Sequence, residues 1–306
     1  MTSQKTSKRT KQKCIVVAIA GEPNTGKSTL MNYLIGQKIS IVSPKVQTTR
    51  SIIKGILTED ETQIIFVDTP GIFKPQKKRN LERIIVRTAW RNVQDTDFVC
   101  LLVDATKSIS ERTKMIIDNL KKHKKKCIVA INKVDLVKKS KLLEFAKQLN
   151  DYKLFDEIFM ISALSGHGIN KLKDYLIKIA PKENWLYPDD YITDSPMKFL
   201  ASEITREKLF LNLKQELPYS VSVETEKWEE FKNGSVKIQQ IIFVMKESQK
   251  GIILGKRGSL IKKIGEDARK EIEELIEAKV HLFLFVKVKE NWQNDVEHFE
   301  YLNLER

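Results

Sequence analysis

A short glycine-rich loop places the strongest constraint on how this chain folds. Residues 21–28 read GEPNTGKS, which matches the phosphate-binding pattern G-x4-G-K-[ST], and they follow an apolar run at Cys14–Ala20. The glycines of this pattern let backbone amides converge on phosphate oxygens, and the helix that follows points its positive dipole end at them. The sequence therefore predicts a strand, a phosphate-binding loop and a helix in direct succession.

Up to about Ile179 the chain alternates short β-branched runs with longer amphipathic ones. Runs such as VCLLVD and CIVAIN lack polar alternation, which favours strands of a sheet that helices cover on both faces. Alternating βα units predict an α/β domain with a doubly wound, mostly parallel six-stranded sheet. The predicted strands are Cys14–Ala20, Ser51–Leu57, Gln63–Asp68, Phe98–Asp104, Cys127–Asn132 and Ile158–Ser162, and helices are predicted to begin near Lys27, Asn80, Ser110, Lys138 and Gly168.

The pattern changes after residue 180. The segment 181–196 (PKENWLYPDDYITDSP) has three prolines and no helical period, so we interpret it as a linker that could pack against either flanking domain. Residues 197–306 predict a smaller α+β domain, and residues 1–13 form a basic tail before the nucleotide-binding domain at 14–180. The elements predicted for the smaller domain are a helix at Met197–Leu213, strands at Tyr219–Glu226 and Val236–Lys246, a glycine loop, a helix at Ser259–Glu277, a strand at Val280–Lys289 and a terminal helix.

Two motifs predict how a nucleoside triphosphate and its Mg2+ are held. Lys27 is expected to bridge the β- and γ-phosphates, and the Ser28 hydroxyl is expected to coordinate Mg2+. DTPG (68–71) follows the third predicted strand, so the Asp68 carboxylate can hold Mg2+ and the Gly71 amide can bond the γ-phosphate. The predicted phosphate-side residues are Gly21, Glu22, Pro23, Asn24, Thr25, Gly26, Lys27, Ser28, Thr29, Asp68, Thr69, Pro70 and Gly71.

The motif NKVD (132–135) at the end of the fifth predicted strand selects the base. A guanine edge offers the N1–H and 2-amino donors, and the Asp135 carboxylate can accept from both. Adenine lacks that pair of donors, so Asp135 would be left desolvated and unpaired. Asn132, Lys133 and Asp135 therefore predict a preference for GTP over ATP, with the Lys133 stem lying along the base or the loop.

The order of these motifs resembles that of translation-factor-type P-loop GTPases over residues 14–165, and GEPNTGKS, QTTR and DTPG together are similar to the Era-like group. In that resemblance the backbone of the SAL element reads the guanine carbonyl, and a threonine of QTTR coordinates Mg2+. The matching threonine is Thr49, with Thr48 as the alternative. The residues implied are Ser162, Ala163 and Leu164 for the base, Lys27, Thr49, Asp68 and Gly71 for catalysis, and Ser28, Thr49 and Asp68 for Mg2+.

Residue 72 sets an expectation about the rate of hydrolysis. Many switch GTPases place there a glutamine that orients the attacking water, whereas Ile72 has neither a donor nor an acceptor. We interpret Ile72 as an apolar anchor of the loop, and the resemblance implies slow intrinsic hydrolysis. Asn24 either contacts a K+ ion between the phosphates or only stabilises the loop. Arg50 is a candidate catalytic arginine through its place in the sequence alone.

A second glycine loop lies in the C-terminal part of the chain. Residues 251–265 read GIILGKRGSLIKKIG, which resembles the signature of KH domains, whose G-x-x-G loop clamps about four nucleotides of single-stranded RNA. The predicted order of helix, strand, strand, helix and strand is typical of the type II KH fold. A KH-like domain that docks a protein is the alternative. The predicted RNA contacts are Gly255, Lys256, Arg257, Gly258, Lys262 and Lys263.

A GTPase domain joined to a C-terminal KH domain is the architecture of the Era family, and the resemblance covers nearly the whole chain. It implies GTP/GDP and Mg2+ as ligands, a monomer, binding near the 3′ end of small-subunit (16S) ribosomal RNA, and a role in 30S subunit assembly. The formal charge of +14 favours a polyanionic partner, either nucleic acid or an acidic membrane surface. A membrane-surface signalling GTPase is therefore the alternative function.

The three cysteines indicate the cellular compartment in which the protein is found. Cys14, Cys100 and Cys127 each lie in an apolar run, and none has the C-x-x-C spacing of a zinc or redox site. We expect them to be buried, reduced thiols, which indicates a cytoplasmic protein.

Overall fold

The described residues form two β-sheets, one before the linker and one after it. The computed structural model describes residues 12–43, 45, 48–72, 80–292 and 301. Its elements are β1 (Lys13–Gly21), α1 (Lys27–Ile35), β2 (Ile53–Glu59), β3 (Thr62–Asp68), α2 (Asn80–Asp95), β4 (Phe98–Asp104), α3 (Glu111–Lys122), β5 (Cys127–Asn132), α4 (Lys139–Asn150), β6 (Ile158–Met160), α5 (Ile169–Ile179), α6 (Met197–Asn212), β7 (Ser222–Glu230), β8 (Val236–Val244), α7 (Glu247–Leu254), α8 (Ser259–Ile276) and β9 (Val280–Val288). The predicted terminal helix falls outside the described residues, apart from residue 301.

The first sheet has six strands in the order β2-β3-β1-β4-β5-β6. Only the β2–β3 hairpin is antiparallel, and the other neighbours pair in parallel. Alternate residues of β1 enter two different cores: Val17 and Ile19 pack with residues of α1 and α5, whereas Ala18 and Ala20 pack with residues of α3 and α4. Because helices cover both faces, the strands are apolar without alternation. The predicted doubly wound, mostly parallel sheet is confirmed.

The second sheet has three strands in the order β7-β8-β9, with β7 and β8 antiparallel and β8 and β9 parallel. Helix α7, between β8 and the glycine loop, was not predicted from the sequence, which gives a strand up to Lys246 and then the loop. The strand ends at Val244 instead, and the Gln249 side chain accepts hydrogen bonds from the backbone N–H groups of Met245 and Lys246 at 2.8 and 3.2 Å. This cap begins a helix that the apolar run and Gly251 obscure in the sequence.

The start of β7 also differs from the prediction. Tyr219 and Ser220 belong to a 3-10 turn at Leu217–Ser220 rather than to a strand. Pro218 has no backbone N–H to donate to a ladder, so the strand begins only at Ser222.

The linker packs against the first sheet. The Ile56 N–H donates to the carbonyl of Ile192 at 2.8 Å, and the Gln63 side-chain oxygen accepts from the N–H groups of Leu186 and Tyr187 at 3.0 Å each. The linker thereby covers β2, the edge strand whose unpaired backbone groups would otherwise face solvent.

In the part of the chain that the structure describes, no helix combines the length and the apolar character needed to cross a bilayer.

Candidate nucleotide site and nucleic-acid interface

A cavity of about 520 Å3 opens beyond the carboxyl ends of the central strands, where the loop after β1 leads into α1. This is the edge at which parallel sheets bind ligands. Ten of the residues singled out in the sequence line this cavity: Pro23, Asn24, Gly26, Lys27, Ser28, Thr29, Thr48, Thr49, Gly71 and Lys133. Residues from four segments that are distant in sequence therefore meet around one space.

Lys27 is the buried cation of the phosphate-binding loop. Its side chain is 6% exposed, and its Nζ donates to the carbonyl oxygens of Glu22 at 2.9 Å and Gly21 at 3.3 Å. Burial lowers the pKa of Lys27 to about 8, although the nearby Asp68 and Glu22 carboxylates favour the charged form. An anion in the cavity would supply the charge compensation that two carbonyls provide only in part.

Two glycines allow the loops to approach each other closely. Gly26 has a φ of +97°, and a Cβ at this residue would lie 2.3 Å from the Asn132 Nδ2 atom. A Cβ at Gly71 would lie 2.9 Å from backbone and side-chain atoms of Pro23. Side chains at these positions would therefore separate the DTPG and NKVD loops from the phosphate-binding loop.

Ser28, Thr49 and Asp68 form one cluster of oxygen atoms. The Ser28 hydroxyl donates to Asp68 Oδ2 at 2.6 Å, the Ser40 hydroxyl donates to the same atom at 2.9 Å, and the Thr49 Oγ1 lies 3.1 Å from the Ser28 Oγ. Among the described residues, the buried Asp68 Oδ1 has no hydrogen-bond partner. Burial raises the pKa of Asp68, and Lys27 opposes that shift. A carboxylate oxygen without a partner beside two hydroxyls is a donor set that suits Mg2+.

The two threonines of the QTTR motif point in different directions. The Thr48 hydroxyl lies 2.6 Å from Ser43 Oγ and donates to the Lys45 carbonyl at 2.7 Å, whereas the Thr49 hydroxyl faces Ser28. Of the two candidate Mg2+ ligands, the geometry therefore favours Thr49. Ser40 was not identified from the sequence, which contains no local signal for its contact with Asp68.

Asn132 joins the base-side loop to the phosphate side. Its Nδ2 donates to the Thr25 carbonyl at 2.7 Å, and its Oδ1 accepts from the Ala163 N–H at 2.8 Å. The SAL loop is thus fixed next to the NKVD loop, with Leu164 83% exposed at its tip. Asp135 is exposed in a 3-10 turn, so its carboxylate is open to a base.

Lys133 makes an ion pair that sequence reasoning missed. Its Nζ donates to Asp104 Oδ2 at 2.6 Å and to the Asn24 carbonyl at 2.9 Å. Burial alone would raise the pKa of Asp104, but hydrogen bonds from Lys133 and Thr106 lower it overall. The position of Asp104 at the end of the fourth strand is the signal that could have identified it.

The structure shows where the two residues discussed for hydrolysis, Ile72 and Arg50, lie. Ile72 is fully buried in the apolar core, and its N–H donates to the Gly21 carbonyl at 3.1 Å, as an anchor of the DTPG loop would. Arg50 does not face the cavity: its guanidinium donates to the carbonyls of Val221 and Tyr219 in the C-terminal domain at 2.8 and 3.1 Å. In this conformation Arg50 is an interdomain contact rather than a residue of the nucleotide cavity.

The second glycine loop projects between α7 and α8. Gly255 has a φ of +72°, and a Cβ there would lie 2.7 Å from the Leu260 Cβ. Gly258 has a φ of +78° immediately before α8. The four basic residues predicted to contact RNA are exposed on the loop and near the start of α8: Lys256, Arg257, Lys262 and Lys263. The loop therefore presents positive charge and a helix N-terminus on one side of the domain.

Comparisons with known proteins agree with this architecture. The family model described as "50S ribosome-binding GTPase" matches residues 16–133, and the KH domain model matches residues 216–293. GTPase Era of Rhizobium meliloti (strain 1021) is 53% identical over 289 residues, covering 94% of this chain and 92% of the relative. GTPase Era of Brucella suis biovar 1 is 50% identical over 289 residues, with the same two coverages.

Solved structures extend the similarity to both domains together. A crystal structure of Era in complex with MgGDPNP and nucleotides 1506–1542 of 16S ribosomal RNA has a TM-score of 0.91 and 37% identity, and the match covers 95% of this chain and 98% of that one. A crystal structure of a variant of Aquifex aeolicus Era bound to GDP·AlF4− also has a TM-score of 0.91 and 37% identity. That match covers 95% of this chain and 99% of the other. With such identity over nearly the full length of its relatives, this chain belongs to the Era family of GTPases.

Proposed function

We propose that this chain is a GTP-hydrolysing switch that binds small-subunit (16S) ribosomal RNA near its 3′ end and acts in 30S subunit assembly. The observation that carries the proposal is that a phosphate cavity with a Ser28–Thr49–Asp68 cluster and an exposed G-x-x-G loop occur in one chain. A relative with the same fold over 95% of this chain holds both MgGDPNP and 16S ribosomal RNA, which supports the same pair of ligands here.

In the proposed nucleotide complex, each motif has one role. Lys27 bonds the β- and γ-phosphates, and Ser28, Thr49 and Asp68 hold Mg2+, which when bound neutralises charge on the phosphate oxygens. The Gly71 amide bonds the γ-phosphate, and Asp135 accepts from the guanine edge. Asn132 keeps the loop of residues 162–164 beside the base through its bond to the Ala163 N–H.

The reaction we propose is in-line attack of water on the γ-phosphate, without a protein nucleophile. The chain contributes position and charge, because Lys27 and the backbone amides of the loop hold the phosphates in place. Ile72 cannot orient the water, so unassisted turnover is expected at roughly 10−4 to 10−3 per second. The Asn24 contact with K+ stays a prediction; the Asn24 carbonyl itself accepts a hydrogen bond from Lys133.

The proposal predicts that RNA affinity depends on the bound nucleotide. A labelled oligonucleotide of the 16S rRNA 3′ end is expected to bind roughly tenfold more tightly in one nucleotide state than in the other, because the loop that closes on the γ-phosphate also contacts the C-terminal domain. Fluorescence anisotropy with GDPNP or GDP, at one fixed salt concentration, measures this difference. A scrambled oligonucleotide of equal length is the control. Equal affinity for the two oligonucleotides in both nucleotide states would contradict the proposal.

A membrane-surface role is the second candidate, favoured by the formal charge of +14. We propose a cytoplasmic protein whose contact with acidic lipid is peripheral and secondary to RNA binding. Co-flotation with anionic vesicles is then expected at low salt and lost at about 0.15 M salt, since exposed charges are screened there. Uncharged vesicles are the matched control. Co-flotation that persists at the higher salt would favour the membrane as the main partner.

A further inference from the structure

We infer that Arg206, on the first helix of the C-terminal domain, is a positioning residue for GTP hydrolysis because it fixes the backbone beside Thr49. The inference rests on the proposed function, in which Thr49 is a Mg2+ ligand. Thr49 belongs to the loop Ser40–Arg50 between α1 and β2, called here the switch loop, of which residues 40–43, 45 and 48–50 are described.

The Arg206 guanidinium is held rigidly and reaches across the domain boundary. Its Nε donates to Glu203 Oε1 at 2.7 Å, and one terminal nitrogen donates both to Glu203 Oε2 and, at 2.6 Å, to the carbonyl oxygen of Thr48. Arg206 is 1% exposed, and its guanidinium carbon lies 5.2 Å from the centre of the Phe210 ring. A guanidinium that is oriented by both a carboxylate and an aromatic ring has little freedom. Its hydrogen bond therefore holds the Thr48 carbonyl in one position.

The residue after Thr49 is anchored to the same domain. The Arg50 guanidinium donates to the carbonyls of Pro218, Tyr219 and Val221 at 3.3, 3.1 and 2.8 Å. Thr49 is therefore bracketed: the residue on each side of it is bonded to the C-terminal domain, while its own hydroxyl lies 3.1 Å from Ser28. Where that hydroxyl sits depends on contacts made outside the nucleotide-binding domain.

One face of α6 contacts the switch loop along its length. Glu203, Arg206, Glu207 and Phe210 are spaced as neighbours on a helix face, and all four are buried. Glu207 accepts from the Val42 N–H at 2.7 Å and pairs with Lys38, just before the switch loop, at 2.5 Å. The Lys45 Nζ donates to the carbonyls of Phe210 and Leu213 at the end of the helix.

Simple adhesion between the domains does not account for this arrangement. Burying the Arg206–Glu203 pair costs desolvation that apolar side chains of similar size would avoid, and the second terminal nitrogen of Arg206 has no hydrogen-bond partner among the described residues. The pair contributes a directed hydrogen bond from Arg206 to the Thr48 carbonyl, which apolar side chains could not make. That bond acts on the proposed catalytic threonine through one peptide unit.

Two variants test the inference in the full-length protein. Arg206→Lys keeps the charge but cannot bond Glu203 in a fork and Thr48 at once. The double variant Glu203→Leu/Arg206→Met removes both charges of the pair, and with them both the attraction of Glu203 and the repulsion of Arg206 on the buried Arg50 guanidinium. In each we expect the kcat for GTP hydrolysis to fall about tenfold, with the KM for GTP and the affinity for GDP changed less than about twofold.

A second readout follows the loop itself. Hydrogen–deuterium exchange of peptides containing Thr49 is expected to be slower with GDPNP than with GDP in the wild type, and this difference is expected to disappear in both variants. Asp194→Asn is the matched control, because it removes the negative charge of the Lys54–Asp194 pair in the linker without touching residues 48–50. It should retain the wild-type kcat and the wild-type exchange difference.

The outcomes separate the inference from the proposed function. Wild-type kcat and an unchanged exchange difference in both variants would overturn the role of Arg206, as would a parallel loss of GDP affinity, which indicates damage to the whole site. If the wild type itself hydrolyses no GTP, it is the proposed function that fails.

Discussion

Replacement of Lys27 by alanine is expected to lower the rate of GTP hydrolysis roughly a hundredfold or more, since one preorganised charged donor in a water-poor site commonly contributes that much. The Lys27 Nζ is buried between the Gly21 and Glu22 carbonyls at the opening of the loop, where the β- and γ-phosphates would lie. No other cation of the phosphate-binding loop can take its place, because residues 21–28 contain a single lysine and no arginine. Phosphate release under single-turnover conditions measures the effect.

The unfolding temperature and a control variant distinguish a loss of catalysis from a loss of folded structure. Without nucleotide, Lys27→Ala should unfold at the same or a higher temperature than the wild type, because it removes a buried charge whose pKa is already lowered to about 8 by burial. Lys114→Ala removes an exposed lysine that pairs with Glu111 in the same domain, and it should hydrolyse GTP as the wild type does. Turnover that survives in Lys27→Ala would place hydrolysis outside this cavity.

Local sequence patterns were sufficient for the nucleotide-side architecture. The glycine loop, DTPG and NKVD each follow an apolar run, and parallel strands bring their carboxyl ends to one edge, so the sequence alone places Lys27, Asp68 and Asn132 together. Helix α7 could not be identified in the same way. Its eight residues include Gly251 and end in an apolar run. The N-terminal cap and tertiary packing therefore determine its conformation more than helix propensity does.

The contacts that bracket Thr49 have no signature in the sequence. Arg206 and Thr48 are separated by 158 positions, and their bond joins a side chain to a backbone carbonyl. The run SEITREKLF has the charge pattern of a solvent-exposed helix face, yet Glu203, Arg206 and Glu207 are nearly fully buried. Charged residues become buried in this way only where partners from elsewhere in the chain satisfy them. Such pairing depends on tertiary structure, which a single sequence does not reveal.

The substitution Gly255→Asp is expected to weaken binding of the 16S rRNA 3′-end oligonucleotide roughly a hundredfold, because the phosphate backbone dominates affinity at such a loop. Gly255 has a φ of +72°, and a Cβ there would lie 2.7 Å from the Leu260 Cβ, so the loop must shift. Aspartate also places a negative charge beside Lys256 and Arg257, where RNA phosphates would approach. Anisotropy titrations at constant salt measure the loss.

The chain offers a closely matched control in Gly234, which lies in the exposed turn between β7 and β8. Gly234 has a φ of +78°, and a Cβ there would meet no atom within 4 Å. Gly234→Asp therefore makes the same change of charge at a similar positive φ in the same domain, but away from the glycine loop, and should bind the oligonucleotide within about twofold of the wild type. Basal GTP turnover should be unchanged in both variants, because neither glycine contacts the nucleotide cavity. If Gly255→Asp and Gly234→Asp weaken binding equally, overall charge rather than the KH loop controls RNA affinity; if neither does, the RNA site lies elsewhere on the protein.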